Sequence, residues 1–241
     1  MTPPPKKRID LNADLGESPT AIANGTQQQL LQFITSANIA CGGHAGDQAT
    51  MRTTIEQCQK SNVAIGAHPS YPDRPNFGRT PLEISPAHLA ASLTAQLESL
   101  IEIANELGVR VTHLKPHGAL YNAAAQDARI SQTIVDSVRH YPHLILYGLR
   151  GSVMLDVFQK AGFRTAREAF ADRAYQPDGT LRPRHLPGAV LTDPHQIAAN
   201  ILALTHQADT ICIHSDTKNA PEIAQAIRTA LTAQGFTLSP L

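Results

Sequence analysis

The sequence predicts an α/β barrel, in which parallel strands alternate with helices. The spacing of apolar residues switches repeatedly between two and about 3.6, the periods of strand and helix. Six strand-like apolar runs end in polar clusters, as strands do where a barrel builds its active site. The length of 241 residues suits one barrel. We therefore expect residues 1–241 to form a single domain, with residues 1–7 as a flexible tail.

The apolar pattern places the individual elements along the chain. Strands are expected at about 8–13, 37–41, 63–67, 110–115, 144–147, 164–168 and 210–214, with a further candidate at 189–191. Helices are expected at about 26–36, 47–61, 86–107, 129–140, 151–161, 194–207 and 219–234. The third helix has the clearest signals, because Ser85 can cap it, Pro86 suits its first turn and Gly108 can end it.

Two segments interrupt this alternation, at 69–81 and 170–187. Neither has a regular apolar period, and loops longer than about 12–15 residues are uncommon in compact domains unless they bind or cover something. Both follow strand ends that carry polar clusters. We interpret them as candidate lids, with ordinary surface connections as the alternative.

Charge and cysteine content narrow the functional classes. Lys plus Arg and Asp plus Glu number 20 each, so the chain has no net field that would attract nucleic acid or a charged membrane. The partner is expected to be a small molecule or a protein. Three cysteines form no C-x-x-C pair, which fits a reducing cytoplasm. No stretch approaches the roughly 18 apolar residues of a membrane helix.

Alternation along the strands predicts which side chains face the barrel mouth. Asp10, Asn12 and Asp14 share one face of the first strand, and His113 and Lys115 share one face of the fourth. A closed barrel would bring the polar strand-end residues together. The residues expected to converge are Asp14, His44, His68, His113, Lys115 and His214.

Asp14 is the strongest candidate for a general base, because it ends the first strand on its polar face beside Gly16. A turn or cap aspartate is the alternative. An inward lysine rarely stays unpaired, so Lys115 is expected beside Asp14, Glu168 or an anionic substrate. A structural ion pair and a substrate-binding charge both remain open for it.

His113-x-x-x-His117 has the spacing of a helical metal pair, but Pro116 disfavours a helix there. A strand would hold the two rings about 13 Å apart. Only a chain reversal could bring them to one point, so metal ligation and separate structural roles stay open.

Cys41-Gly42-Gly43-His44 precedes a predicted helix. Backbone N–H groups near Gly43 could hold an anion there, whereas Cys41 is expected to be a buried apolar residue. The phosphate-binding motif G-x-x-x-x-G-K-[ST] does not occur in the sequence.

Several long motifs resemble the LamB/YcsF family, over nearly the whole chain. They are Ile9-Asp-Leu-Asn-Ala-Asp-Leu-Gly-Glu17, Ala37-Asn-Ile-Ala-Cys-Gly-Gly-His-Ala-Gly-Asp47, Gly66-Ala-His-Pro-Ser-Tyr-Pro-Asp73, His113-Leu-Lys-Pro-His-Gly-Ala-Leu-Tyr121, Arg167-Glu-Ala-Phe-Ala-Asp-Arg-Ala-Tyr175 and Ile213-His-Ser-Asp216. The resemblance implies a distorted seven-stranded β/α barrel similar to glycoside hydrolase/deacetylase barrels.

The resemblance also implies an activity: one component, termed A, of an ATP-dependent 5-oxoprolinase, which opens the lactam of 5-oxo-L-proline to L-glutamate. Partner subunits B and C would use ATP. We leave homo-oligomerisation open. The alternatives are a stand-alone metal-dependent deacetylase or amidase, and a non-catalytic subunit that binds a lactam or sugar.

These considerations assign expected roles to the candidate residues. The expected catalytic residues are Asp14, His113 and Lys115. The expected substrate-binding residues are Asn12, Asn38, Gly43, His44, His68, His117, Glu168 and His214. A divalent metal is left open, with Asp14, His44 and His113 as candidate ligands.

Overall fold

A closed barrel of seven parallel strands forms the centre of the molecule, in a computed structural model that describes residues 7–241. Of the tail predicted at 1–7, Lys7 belongs to the described residues and the rest lies outside them. The strands are β1 (Arg8–Leu15), β2 (Ser36–Ala40), β3 (Ala64–His68), β4 (Val111–Leu114), β5 (Ile145–Leu149), β6 (Arg164–Phe170) and β7 (Thr210–His214). Pairing of β1 with both β2 and β7 closes the barrel, which confirms the predicted fold class.

Helices surround the strands. Among the described residues they are α1 (Pro19–Ala23), α2 (Thr26–Leu30), α3 (Gln48–Lys60), α4 (Pro86–Glu106), α5 (Gly118–Ala124), α6 (Ala128–Val138), α7 (Val153–Lys160), α8 (Pro194–Leu204) and α9 (Ala220–Ala233). The side chain of Ser85 accepts a hydrogen bond from the His88 N–H and so caps α4 as predicted. The apolar faces of the helices pack on the outward side chains of the strands and form the main hydrophobic core.

Some predicted elements differ from the structure. The helix expected at 26–36 ends at Leu30, and β2 already begins at Ser36. The strand candidate at 189–191 makes only an isolated bridge between Val190 and Arg173. The short elements α1, α5 and β8 (Thr237–Leu238) were not predicted, because a helix of less than two turns or a strand of two residues does not repeat its period.

The barrel interior is polar at its centre. In the β1–β7 register, Asp10 lies beside Thr210, Asn12 beside Cys212 and Asp14 beside His214. The three β1 side chains are buried, so the predicted polar face of β1 points into the barrel. Among the described residues, no helix is long and apolar enough to cross a membrane.

Candidate active site

The carboxyl ends of the strands open into a cavity of about 580 Å³. Asp14, His68, Lys115, His117 and His214 line it, together with side chains of the 69–81 and 170–187 segments. The volume lies within the range of about 300–1,000 Å³ that is usual for small-molecule sites. The structure therefore brings together four of the six residues expected to converge, adds His117, and surrounds them with both candidate lids.

Lys115 is the buried cation at the base of this cavity. Its Nζ lies 2.8 Å from Asp14 Oδ1 and 3.1 Å from Glu168 Oε1. Nζ also donates to Cys212 Sγ at 2.9 Å. Burial alone would lower the pKa of Lys115, but Asp14 and the other negative groups raise it well above its usual value. Lys115 is therefore held as a cation between two carboxylates.

Asp14 is the carboxylate that faces the cavity. Its Oδ2 lies 3.3 Å from His68 Nε2, and its Oδ1 accepts a hydrogen bond from Asn38 Nδ2 at 2.9 Å. Burial would raise the pKa of Asp14, but the neighbouring His68 and Lys115 hold it well below its usual range. Asp14 is therefore ionised and oriented by three side chains.

A layer of amides lies beneath this ion pair. Asn12 Nδ2 donates to Glu168 Oε1 at 3.1 Å, and Asn38 Nδ2 donates to Asn12 Oδ1 at 2.7 Å. His113 Nε2 lies 3.0 Å from Asn38 Oδ1, and its ring stacks on Tyr147 with centroids 4.4 Å apart. The structure thus places Asn12, Asn38, Glu168 and His113 below the groups that line the cavity.

The position of His113 bears on its predicted role. It is 1% exposed, and burial followed by the Lys115 charge lowers its pKa to about 3. Within residues 7–241, its hydrogen-bonded connection to Asp14 runs through Asn38. This location favours a neutral residue that positions Asn38 over a residue that touches substrate.

Three histidines and one glutamate meet beside Asp14. One donor atom from each of Glu17, His44, His68 and His117 lies within 4.8 Å of all the others, and we call this group the donor cluster. The cluster contains His44 but neither Asp14 nor His113, the other two candidate metal ligands. Asp14, Cys212 and His214 form a second group whose donor atoms are similarly close.

Burial shifts the pKa values of Glu17, His44 and His117 in the donor cluster. Burial lowers the pKa of His44 to about 3 and that of His117 well below its usual value. Burial and then the like charge of Asp14 raise the pKa of Glu17 to about 7.

His214 is held at the rim of the cavity by Asp172. His214 Nδ1 lies 2.9 Å from Asp172 Oδ1, and the backbone N–H of His214 donates to Asp172 Oδ2 at 3.1 Å. Burial would raise the pKa of Asp172, but His214 and the hydrogen bonds to the carboxylate lower it. Asp172 therefore fixes the ring that faces the cavity.

The two candidate lids are joined over the cavity by one carboxylate. Asp216 accepts from Arg79 Nη2 at 2.5 Å and from Arg184 Nη2 at 2.6 Å. Arg79 belongs to the first segment and Arg184 to the second, and Arg173 also lines the cavity. The entrance therefore carries several positive charges.

Gly43 lies in a tightly packed part of the site. A Cβ on Gly43 would lie 2.3 Å from Gln96 Oε1 and 2.4 Å from Ser70 Oγ, so only glycine fits without displacement of these side chains. The Gly42 N–H donates to the Ala45 carbonyl. Cys41 is buried as expected, and burial raises the pKa of its thiol to about 12.

Residues such as Glu17, Tyr121 and Asp172 belong to the site but were not among the predicted site residues. All three are found within or next to the motifs that carry the family resemblance. Position within those motifs is the signal that could have pointed to them.

The fold and site define a β/α-barrel protein with a cavity lined by cationic side chains at the carboxyl ends of its strands. A model of the LamB/YcsF family matches residues 9–241, and the chain belongs to that family.

Relatives and solved structures agree with this placement. The chain is 44% identical over 245 residues to the A subunit of 5-oxoprolinase from Chloroflexus aggregans, with 95% of this chain and 97% of the relative covered. The crystal structure of the lactam utilization protein from Thermus thermophilus superposes with a TM-score of 0.88 at 36% identity, covering 97% of this chain and 100% of that one.

A more distant structure shares the fold alone. The catalytic domain of a peptidoglycan N-acetylglucosamine deacetylase from Eubacterium rectale has a TM-score of 0.54 at 12% identity, covering 100% of this chain and 90% of that one. The likeness to deacetylase barrels is thus confirmed at the level of architecture.

Proposed function

We propose that this chain is the A subunit of an ATP-dependent 5-oxoprolinase, which opens the lactam ring of 5-oxo-L-proline to give L-glutamate. The observation that carries the proposal is the 44% identity, over 95% of the chain, to a protein named as the A subunit of 5-oxoprolinase. We propose a single functional domain that acts in the cytoplasm, where ATP is available and cysteines stay reduced.

The charge of the cavity supports an anionic substrate. Lys115 lies at its base, and Arg79, Arg173 and Arg184 lie around its entrance. A 5-oxoproline molecule carries one carboxylate at neutral pH, and guanidinium groups bind carboxylates and phosphates in a planar, bidentate manner. The arginines would guide and bind the carboxylate while the lactam reaches the buried charges below.

ATP would serve to activate the lactam carbonyl, because an amide is a poor electrophile. Transfer of the γ-phosphoryl group to the carbonyl oxygen would yield ADP. Attack of water on the activated carbon and cleavage of the C–N bond would then yield γ-glutamyl phosphate, and hydrolysis of this acyl phosphate by a second water would release phosphate and L-glutamate. We assign the ATP-using step to partner subunits B and C, in keeping with a sequence that lacks the G-x-x-x-x-G-K-[ST] motif.

Asp14 is the proposed general base for the attacking water. It is ionised, faces the cavity and is held by Lys115 at 2.8 Å. When the Lys115 ammonium shifts towards a substrate oxygen, Asp14 loses part of its stabilising partner and its pKa rises, which makes it a stronger base. Lys115 would stabilise negative charge that develops on the substrate.

The remaining predicted residues receive supporting roles. We propose that His68 and His214 contact the substrate, since both line the cavity. His113, Asn38 and Asn12 would position Asp14 and Glu168 through the hydrogen bonds beneath them.

A metal-dependent deacetylase or amidase is the second candidate function. The observation that favours it is the donor cluster in a barrel whose architecture is shared with a deacetylase. Such an enzyme would release acetate or ammonia from an amide without ATP and without partners.

The deciding experiment is a reconstituted assay that follows glutamate and ADP from 5-oxoproline and ATP. We expect product only when this chain and both candidate partners are present, with one ADP formed per glutamate. ATP-independent amide hydrolysis by the chain alone would support the second function instead. Full 5-oxoproline turnover by the partners without this chain would refute both its catalytic role and the proposed assignment.

A further inference from the structure

We propose that the donor cluster of Glu17, His44, His68 and His117 is a binding site for one divalent transition-metal ion, with Zn²⁺ the best match. The four donors come from successive βα connections of the barrel: Glu17 follows β1, His44 follows β2, His68 ends β3 and His117 follows β4. Three imidazole nitrogens with one carboxylate oxygen suit zinc, whereas Mg²⁺ and Ca²⁺ take oxygen ligands.

The spacing of the donor atoms matches a ligand shell. Glu17 Oε1 lies 3.1 Å from His44 Nε2, 3.3 Å from His117 Nδ1 and 3.8 Å from His68 Nε2. His68 Nε2 and His117 Nδ1 are 3.0 Å apart. Neighbouring ligands of a tetrahedral ion with bonds of about 2.1 Å are separated by about 3.4 Å. The observed distances between donor atoms, 3.0 to 3.8 Å, lie on both sides of this ligand separation.

The hydrogen bonds on the outer side of two rings fix their tautomers. His68 Nδ1 lies 2.7 Å from the Lys115 carbonyl oxygen, and His117 Nε2 lies 3.0 Å from the Phe77 carbonyl oxygen. A carbonyl can only accept, so both of these nitrogens carry hydrogen. Metal-binding histidines are typically oriented in this way by an acceptor behind the ring.

The inner nitrogens of the same two rings therefore present lone pairs to each other. At 3.0 Å, His68 Nε2 and His117 Nδ1 need a cation or a proton between them. The rings of His44 and His117 stack face to face with centroids only 3.7 Å apart, so the rings converge on one small volume. Neutral imidazole is the form of the histidine side chain that binds metals.

His44 supplies an independent observation. Its side chain is fully buried, yet its Nδ1 has no hydrogen-bond partner within residues 7–241. A buried polar atom without a partner costs free energy, and native proteins rarely tolerate one. A ring of the cluster is therefore held in place although one of its nitrogens is left without a partner in the described chain.

The surroundings protect the cluster from bulk water. Phe77 packs edge-on against His44 and His117, with centroids 5.2 and 5.5 Å away. His68 and His117 line the main cavity, whereas Glu17 and His44 line a second cavity of about 240 Å³. The ion would thus lie in the wall between two cavities, beside Asp14, and be reachable from either side.

Metal titration of the chelator-treated full chain tests this proposal without any activity measurement. We expect calorimetry to show one Zn²⁺ bound per chain. E17Q and H117Q should each lower the association constant by more than about 100-fold, because a lost ligand costs at least as much as a lost supporting group. H88Q replaces an exposed histidine on α4 and should bind zinc as the unmodified chain does.

Cobalt distinguishes the donor cluster from the group of Asp14, Cys212 and His214. We expect Co²⁺ to give the strong visible bands of a four-coordinate ion without a thiolate charge-transfer band, and C212S to leave this spectrum unchanged. If E17Q or H117Q fails to fold, X-ray absorption of the zinc-loaded unmodified chain should still show several imidazole ligands and no sulfur.

Three results would overturn the proposal: no stoichiometric binding of zinc or cobalt, sulfur in the metal's ligand shell, or unchanged affinity in folded E17Q and H117Q. None of these outcomes bears on the 5-oxoprolinase assignment, which is tested by the reconstituted assay.

Discussion

Lys115 forms ion pairs with two buried carboxylates, those of Asp14 and Glu168. Replacement of Asp14 by Asn should therefore affect catalysis without unfolding the chain. The variant keeps Glu168 beside the Lys115 ammonium at 3.1 Å, so the buried charge stays compensated and the fold should persist. An amide cannot take a proton from water, and we expect glutamate formation in the reconstituted assay to fall at least about 100-fold. D136N, at an exposed position on α6, is the control. Near-normal turnover of D14N would remove Asp14 as the base.

Replacement of Lys115 by Met has a different expected outcome, because it leaves Asp14 and Glu168 without their shared cation. Loss of one partner from a buried ion pair typically costs about 3–5 kcal/mol of unfolding free energy. The double variant K115M/E168Q removes one of the two stranded charges and should recover part of that loss. Urea unfolding of both single variants and the double variant measures the coupling, and strictly additive effects would contradict it.

The sequence predicted which residues face the barrel mouth better than it predicted which of them contact one another. Strand alternation alone predicted that Asp14 and Lys115 share the barrel mouth. The convergence of His68 and His117 depends on a backbone contact, since the His117 N–H donates to the Pro69 carbonyl at 2.8 Å. Glu17 lies beyond Gly16, which has a φ of 73°, so its direction depends on a turn that strand alternation does not describe.

At the level of elements, Asp216 connects the two segments that cover the cavity. D216N should release both Arg79 and Arg184 while lowering global stability by less than about 1 kcal/mol, because exposed ion pairs contribute little. We expect faster amide hydrogen exchange in 69–81 and 170–187, with a raised KM for 5-oxoproline.

The matched control for this prediction is D209N, which breaks the exposed pair of Asp209 with Arg167 away from the cavity. It should leave exchange in both segments unchanged. Equal exchange in D216N and the unmodified chain would show that the segments are held by other contacts.

Element lengths explain which parts of the fold were predictable. The 21-residue helix α4 repeats its apolar stripe several times and has both a cap and a stop signal, so its bounds were predicted closely. The segment 26–36 holds a five-residue helix, a turn and the start of β2. A short helix followed directly by a strand offers too few residues for either period to be recognised.

At the scale of the whole molecule, titratable groups in the polar barrel interior make the free energy of unfolding depend on pH. The contribution of His113 can be measured separately from the others. Its folded pKa of about 3 lies below the unfolded value of about 6.5. Above pH 6.5 both states are neutral. As the pH falls below 6.5, the unfolded chain gains a proton that the folded chain resists, so stability is lost. Between pH 8 and pH 5 this loss amounts to about 2 kcal/mol.

H113Q removes the titrating ring but keeps a donor for Asn38 Oδ1. We expect its unfolding free energy to be lower than that of the unmodified chain at pH 8, with the difference shrinking by about 2 kcal/mol at pH 5. Urea unfolding of chelator-treated proteins at both pH values measures this change, and H88Q controls for the general loss of a histidine. Parallel pH profiles for H113Q and the unmodified chain would mean that the folded and unfolded pKa values of His113 are equal, which would require the carboxylates around Lys115 to offset its burial.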